Sequence, residues 1–171
     1  MKDYFALLAR YNLWATRRLY EQIDALSEAD YRGDTGLFFR SIHGTLNHLL
    51  VASDRIWYRR FAEGVSPRDV QLSDEIESDR LALKAALLRS AERWGELVQT
   101  FPAERYTGTI EYTTMRGMAA VLPFAATLGH VFNHGTHHRG QITAALTARG
   151  HATPELDWVY MLQQEQARPA G

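Results

Sequence analysis

Four of the chain's seven histidines lie within nine positions, in the segment from His130 to Gln141 that reads H-V-F-N-H-G-T-H-H-R-G-Q. If this segment is helical, each residue turns by about 100°, so its histidines and Gln141 share an arc of about 100°. His134 and His138, four positions apart, can then direct two imidazole nitrogens at one ion. The spacing therefore indicates part of a metal site, which needs a third ligand from elsewhere in the chain.

The composition restricts both the ligands and the class of protein. The chain has 171 residues, no cysteine and a formal charge of −1, and this length predicts a single domain over residues 1–171. Without thiolates, a metal has to be held by histidine or carboxylate. The near-zero charge argues against nucleic-acid binding. The sequence has no apolar run typical of a signal peptide or a membrane span, so we expect a cytoplasmic protein with no membrane partner.

The elements that must position the histidines are mostly helical. Apolar residues recur every three or four positions in three long segments, from about Asp3 to Leu26, from Ser41 to Glu63 and from Asp74 to Phe101. The fourth long helix carries the histidines and is predicted from Pro123 to Gly150, with proline in its first turn and glycine as its stop. A short final helix is predicted to begin at Pro154–Glu155. Four long helices with short connections predict a four-helix bundle, in which metal sites lie between facing helices.

The segment between Pro102 and Leu122 departs from this helical pattern. It is rich in threonine and tyrosine and alternates around Ile110 and Tyr112, ahead of Arg116–Gly117. These features favour a short β-hairpin or an extended loop. The predicted fold class is therefore all-α, with this hairpin or loop before the last long helix.

Three histidines outside the cluster are candidates for the third ligand. His43 is expected near the exposed start of the second helix, and His151 follows the glycine that ends the fourth. His48 lies two turns into the second helix among leucines, where a neutral imidazole needs a polar partner. From the residues alone, a hydrogen bond within the core and metal ligation explain His48 about equally well.

Several phrases of the sequence resemble one family. They are S-I-H-G-T-L-N-H-L-L-V-A-S-D-R-I-W at Ser41–Trp57, Y-N-L-W-A-T at Tyr11–Thr16, P-E-L-D-W-V at Pro154–Val159 and the histidine-rich segment itself. Together they span nearly the whole chain, in the order found in the DinB family of bacterial four-helix proteins. The resemblance implies an up-down-down-up bundle, usually homodimeric, with a divalent-metal site. The motif histidines correspond here to His48, His134 and His138.

A site with three histidine ligands predicts chemistry at the metal, because open positions are left for water or substrate. Imidazoles suit zinc, nickel, iron and copper, and zinc or nickel is our prediction. Gly135 stands where the glutamate of an H-E-x-x-H peptidase would follow the first histidine, which disfavours peptidase activity. By analogy with the wider superfamily, the leading hypothesis is a transferase that joins a low-molecular-weight thiol to a small-molecule substrate. A metal-dependent hydrolase and a non-catalytic, stress-associated metal-binding bundle are the alternatives.

The remaining residues of the histidine segment are given supporting roles. His130 and Gln141 are candidates to orient the ligating imidazoles. His137 is expected at the surface or in a contact between helices, and Arg139, on the opposite face, is expected to form a salt bridge. The sequence assigns no catalytic base.

Overall fold

Four long helical segments and one β-hairpin make up the fold, in a computed structural model that describes residues 1–167. The helices are α1 (Lys2–Ile23), α2 (Glu28–Arg32), α3 (Ile42–Leu50), α4 (Arg59–Ala62), α5 (Arg80–Thr100), α6 (Phe124–Ala148) and α7 (Trp158–Ala167). A π-helical segment, Val51–Tyr58, joins α3 to α4, and a 3-10 helix, Ala103–Thr107, precedes the strands β1 (Thr109–Thr113) and β2 (Ala119–Pro123).

The long helices form the predicted four-helix bundle. Helix α1 packs against α5 and α6, and α3 packs against the same two helices, so α1 and α3 lie diagonally opposite each other. Two large clusters of buried apolar side chains fill most of the interior, one around Ile23, Leu46 and Ile142, the other around Phe5, Trp94 and Phe132. A third, smaller cluster contains Tyr11, Ala15 and Met161. No helix within residues 1–167 is long and apolar enough to cross a membrane.

The second long helix begins and ends where the sequence predicts. The Ser41 hydroxyl caps α3 by accepting a hydrogen bond from the N–H of Gly44 at 2.9 Å, as its residue type favours. Helical structure continues to Ala62, and Gly64 ends it with a φ of 66°, a conformation that glycine adopts without strain. The π-helical segment between α3 and α4 was not predicted, because i→i+5 bonding has no simple sequence pattern.

Helix α5 begins at Arg80, so the predicted start at Asp74 is wrong. The carboxylate of Asp79 accepts a hydrogen bond from the N–H of Ala82 at 2.7 Å and caps the helix there. The residues before it form an irregular connector instead, held by the buried side chain of Asn47. Its amide donates to the carbonyl of Glu77 at 3.0 Å and accepts from the N–H of Glu77 at 2.9 Å.

Replacing Asn47 by alanine should release this connector. Two hydrogen bonds from a side chain that is 1% exposed are lost, so we expect the free energy of unfolding to fall by about 2 kcal/mol. The exposed Asn133 on α6 is the control, and its alanine variant should stay within about 0.5 kcal/mol of the original protein. Urea denaturation measures both values, and equal losses would contradict the role given to Asn47.

The predicted β-hairpin is confirmed. Strands β1 and β2 pair antiparallel, with Thr109 opposite Pro123 and Thr113 opposite Ala119. The turn between them contains Gly117, whose φ is 80°. Pro123 ends β2 directly before α6, and Gly150, with a φ of 76°, follows the end of that helix as predicted. The final helix begins at Trp158 rather than at Pro154–Glu155.

His43 is buried, contrary to the expectation that it lies near an exposed helix start. It is 2% exposed because α2 packs over the beginning of α3. Its Nδ1 lies 3.2 Å from the hydroxyl of Tyr31, and its Nε2 lies 3.0 Å from the carboxylate of Glu75. Its polar atoms are therefore satisfied within the structure, away from the histidines of α6.

Candidate metal centre

His48 on α3 faces His134 and His138, which lie one turn apart on α6. The Nε2 atom of His134 is 3.1 Å from Nε2 of His48 and 3.1 Å from Nε2 of His138. A ligand atom from each of the three residues lies within 4.8 Å of the others. The structure thus brings together the three histidines that the family resemblance indicated.

These distances fit a divalent transition-metal ion. Two nitrogens 3.1 Å apart, each about 2.0–2.1 Å from an ion, subtend an angle of about 100° at it. That angle lies between the octahedral and tetrahedral values. Three imidazoles on one side of an ion leave its other positions open for a substrate.

The hydrogen bonds of the outer nitrogens fix two of the imidazole tautomers. Nδ1 of His48 lies 2.8 Å from the carbonyl oxygen of Leu72, and Nδ1 of His138 lies 2.7 Å from Oε1 of Gln141. Since both partners only accept, each Nδ1 carries the proton and each Nε2 presents a lone pair to His134. Nε2 of His134 can donate to only one of them at a time. A cation between the three nitrogens satisfies all of them.

The surroundings keep these imidazoles neutral, which is the form that binds metal. Burial lowers the pKa of His48. Burial, together with the neighbouring imidazoles, lowers the pKa of His134 to about 3. Burial also lowers the pKa of His138 to about 4, although its hydrogen bond to Gln141 acts in the opposite direction. All three side chains therefore have their lone pairs available at neutral pH.

Aromatic rings wall the site on two sides. Phe39 stacks on the imidazole of His48 with ring centroids 3.8 Å apart, and its edge approaches His138 at 5.7 Å. Trp57 meets the ring of His130 at 5.3 Å, and that ring lies 5.7 Å from His134. Phe39 and the carbonyl of Leu72 were not predicted as parts of the site. Two adjacent phenylalanines, Phe38 and Phe39, between the first two predicted helices were a signal that could have indicated the first.

The residues given supporting roles have distinct positions. Gln141, one of the two candidates for orienting a ligating imidazole, contacts Nδ1 of His138 through its Oε1. Its amide Nε2 lies 3.1 Å from Nε2 of His137, which is exposed. His130 is exposed at the edge of the site and forms no hydrogen bond within the described residues. His151 lies elsewhere, with its Nε2 3.3 Å from the carboxylate of Asp30.

The predicted salt bridge of Arg139 is wrong. Its side chain is 3% exposed and donates from Nη1 to Oδ1 of Asn12 at 2.7 Å, and it forms no ion pair within residues 1–167. The guanidinium folds back along α6 towards Gly135. A Cβ atom at Gly135 would lie 3.1 Å from Nη1 of Arg139, so this glycine makes room for the arginine.

Replacing Gln141 by leucine should weaken metal binding without removing a ligand. The variant lacks the acceptor that fixes the tautomer and orientation of His138, and such a change typically costs about 10- to 100-fold in metal affinity. Competition with a chromophoric chelator measures the affinity. Replacing the exposed Gln163 of α7 by leucine is the control and should leave the affinity unchanged. An unaltered affinity in the Gln141 variant would contradict the orienting role.

The comparisons with known proteins cover nearly all of the chain. The model of the DinB family matches residues 1–168. Protein DinB of Bacillus subtilis (strain 168) is 28% identical over 176 residues, which include 98% of this chain and 100% of that protein. The solved structure of YfiT from Bacillus subtilis, described as a probable metal-dependent hydrolase with an unusual four-helix bundle topology, covers 88% of this chain and 89% of its own, with a TM-score of 0.69 and 16% identity. The two structures share the fold, and the family match over almost the full length shows that this chain belongs to the DinB family.

Proposed function

We propose that this protein is a metal-dependent enzyme that transfers a small-molecule thiol to an electrophile. The proposal rests on one observation: three imidazole nitrogens converge with no carboxylate among the candidate ligands in the described residues. Neutral ligands leave the charge of a dication uncompensated, which favours an anionic ligand such as a thiolate. Zinc or nickel suits this nitrogen donor set.

A bound ion and the protein's own side chains would have different roles in this reaction. A divalent cation bound here supplies the positive charge that keeps a thiol deprotonated at neutral pH. His48, His134 and His138 would hold the ion. In the overall reaction the thiol sulfur would bond to the electrophilic carbon, the leaving group would depart with its bonding electrons, and the thiol proton would pass to a base. The ring of His130 lies at the edge of the site, 5.7 Å from that of His134, and its partial burial lowers its pKa. This favours the neutral imidazole, which can accept the proton that the thiol loses.

A groove beside the site indicates the class of substrate. It has a volume of about 530 Å³ and is lined by apolar side chains from three loops, including Phe38, Phe39, Leu72 and Met115. Phe39 and Leu72 also contact His48, so the groove adjoins the metal centre. The phenyl ring of Phe38, 84% exposed, and the guanidinium of Arg68 offer an apolar surface and a positive charge. We therefore propose a substrate with an apolar body and an anionic group.

Hydrolysis is the second candidate. The shared fold with YfiT, which is described as a probable metal-dependent hydrolase, favours it. The same ion would then activate a water molecule in place of the thiol, and His130 would again accept the proton. Homodimer formation, as the family resemblance implies, is a further proposal and is independent of the choice between these reactions.

Turnover assays separate the possibilities. The metal-loaded protein is incubated with small biological thiols and an alkylating electrophile, and in parallel with esters and amides, and products are identified by mass spectrometry. Thiol-dependent product, lost in a folded His134→Ala variant and retained in His137→Ala, is the expected result. Product from esters or amides without a thiol would favour hydrolysis instead. If neither series gives turnover and metal removal greatly lowers the thermal stability, both proposed activities, thiol transfer and hydrolysis, are contradicted. The non-catalytic metal-binding bundle is then favoured.

A further inference from the structure

A narrow cavity lies between the helices, where the two large apolar clusters of the core meet. Its volume is about 30 Å³, and its lining includes Leu49 and Leu87 from one cluster and Val131 from the other. The polar residues that line it are Asn12, Thr16, Ser53, Ser90, His134 and Arg139. A cavity of this volume can hold one or two water molecules or a single small ion.

Arg139 brings an uncompensated positive charge to this cavity. Its side chain is 3% exposed, and within residues 1–167 it forms no ion pair. Its nearest polar neighbours, Asn12, Thr136 and Tyr11, are all neutral. Burial lowers the pKa of Arg139, but an arginine stays protonated at neutral pH. A buried charge of this kind is strongly unfavourable unless a counter-charge reaches it.

The free polar atoms around the cavity are mainly donors. The buried Nε–H of Arg139 has no acceptor within the described residues. Oδ1 of Asn12 already accepts from Arg139, which leaves its amide Nδ2 free to donate. Oγ of Ser53 accepts from Trp94 at 2.9 Å and lies 3.4 Å from Oγ of Ser90, so one hydroxyl proton of this pair is also available. No carboxylate lines the cavity.

We propose that this cavity binds one small monovalent anion of the chloride class, held by Arg139, Asn12 and the Ser53–Ser90 pair. A water molecule could accept the same hydrogen bonds but would leave the guanidinium charge uncompensated. An anion accepts the hydrogen bonds and also supplies the compensating negative charge. His134 also lines the cavity, so a cation bound in the metal centre would lie close by and would strengthen the electrostatic attraction of the anion to the cavity. The site stabilises the fold behind the metal centre and is independent of which reaction the enzyme catalyses.

Replacing chloride by bromide or by a larger anion tests the site in the metal-loaded full chain. Crystals grown in sodium bromide should give an anomalous bromine peak in the cavity, beside Nε of Arg139. In solution, the Tm should be about 3–5 °C higher in sodium chloride than in sodium gluconate at equal ionic strength, since gluconate is too large to enter. The Arg139→Met variant should lose this difference, and Arg139→Lys should keep part of it.

Arg60 provides the matched control. It is also buried, at 5% exposure, and forms no ion pair in the described part of the chain. However, Arg60 does not line the cavity. Its guanidinium lies 4.6 and 4.3 Å from the ring centroids of Trp57 and Tyr112, closer than the 5.5 Å between Arg139 and the ring of Tyr11, and it donates to the carbonyl of Thr113 at 3.0 Å. The Arg60→Met variant should therefore keep the difference in Tm between the two salts. If Arg139→Met fails to fold, the measurements on the original protein still test the proposal. Equal Tm values in the two salts, or no anomalous bromine peak in the cavity, would overturn it and indicate bound water.

Discussion

Replacing His134 by alanine is expected to lower the metal content from about one ion per chain to about a tenth of that or less. His134 is the central residue of the site, because its Nε2 lies 3.1 Å from Nε2 of both other histidines. Its loss leaves two ligands on different helices, which cannot hold an ion firmly. Alanine favours helix, so α6 should still form and the circular dichroism spectrum should not change. Elemental analysis of the purified variant measures the metal directly.

The His137→Ala variant is the matched control for this experiment. His137 belongs to the same stretch of α6 but is exposed and contacts Gln141 rather than the other Nε2 atoms, so its loss should leave the metal content unchanged. His48→Ala and His138→Ala should behave like His134→Ala. Full occupancy in His48→Ala would show that the third ligand has been wrongly assigned, and His130 would then be the first residue to test.

The sequence predicts the ends of a helix correctly where residues within a few positions of each other determine them. Ser41 and Gly64 mark the ends of one helical run because a cap and a left-handed residue act within a few positions. The start of α5 was misplaced because it depends on Asn47, which lies 30 residues earlier in the chain and binds the backbone of Glu77. The burial of His43 likewise depends on α2, a short helix packed over it, and no local pattern reports such a contact.

Some residues of the candidate site could be predicted from the sequence and others could not. His134 and His138 follow from helical spacing alone, whereas the choice of His48 needed the family resemblance, since spacing within one helix says nothing about a facing helix. The acceptor for His48 is a backbone carbonyl in an irregular connector, where any residue type could serve. Arg139 was placed on the correct face of α6 but given the wrong partner, because the sequence does not show that this face is buried against Asn12.

Removing the metal should destabilise the protein at neutral pH. An ion that binds only the folded state, present at 100 times its dissociation constant, adds about 2.7 kcal/mol to the free energy of unfolding. For a chain of this length, that corresponds to about 5–10 °C in Tm. Thermal denaturation with and without a strong chelator measures the difference. Equal Tm values would show that the three histidines do not bind the ion added, and the assay should then be repeated with the other candidate metals.

The metal-free protein should also lose stability as the pH falls from about 6.5 towards 4. In the unfolded chain the histidines titrate near pH 6.5, while in the folded chain burial and mutual repulsion lower the pKa of His134 to about 3 and that of His138 to about 4. Between these values the unfolded state binds protons that the folded state cannot, so stability is fully present above pH 6.5 and is lost as the pH decreases. The carboxylates whose pKa is lowered, such as Glu75, begin to lose their contribution only near pH 4.5, at the lower end of this window.

Urea denaturation of the metal-free protein at a series of pH values measures this slope. The double variant His134→Ala/His138→Ala should show a weaker dependence in the same window, by up to about two protons. His137→Ala should stay close to the original protein, because His137 is the smallest of the causes that lower these two pKa values. Because the pKa of His134 is lowered to about 3 and that of His138 to about 4, protons compete little with the ion for these two ligands between pH 7 and 5. The affinity for zinc should therefore change less over this range than at a site built from ordinary histidines. An affinity that falls steeply below pH 6.5 would mean that the histidines titrate normally, and that the buried, converging arrangement is not the one that binds the metal.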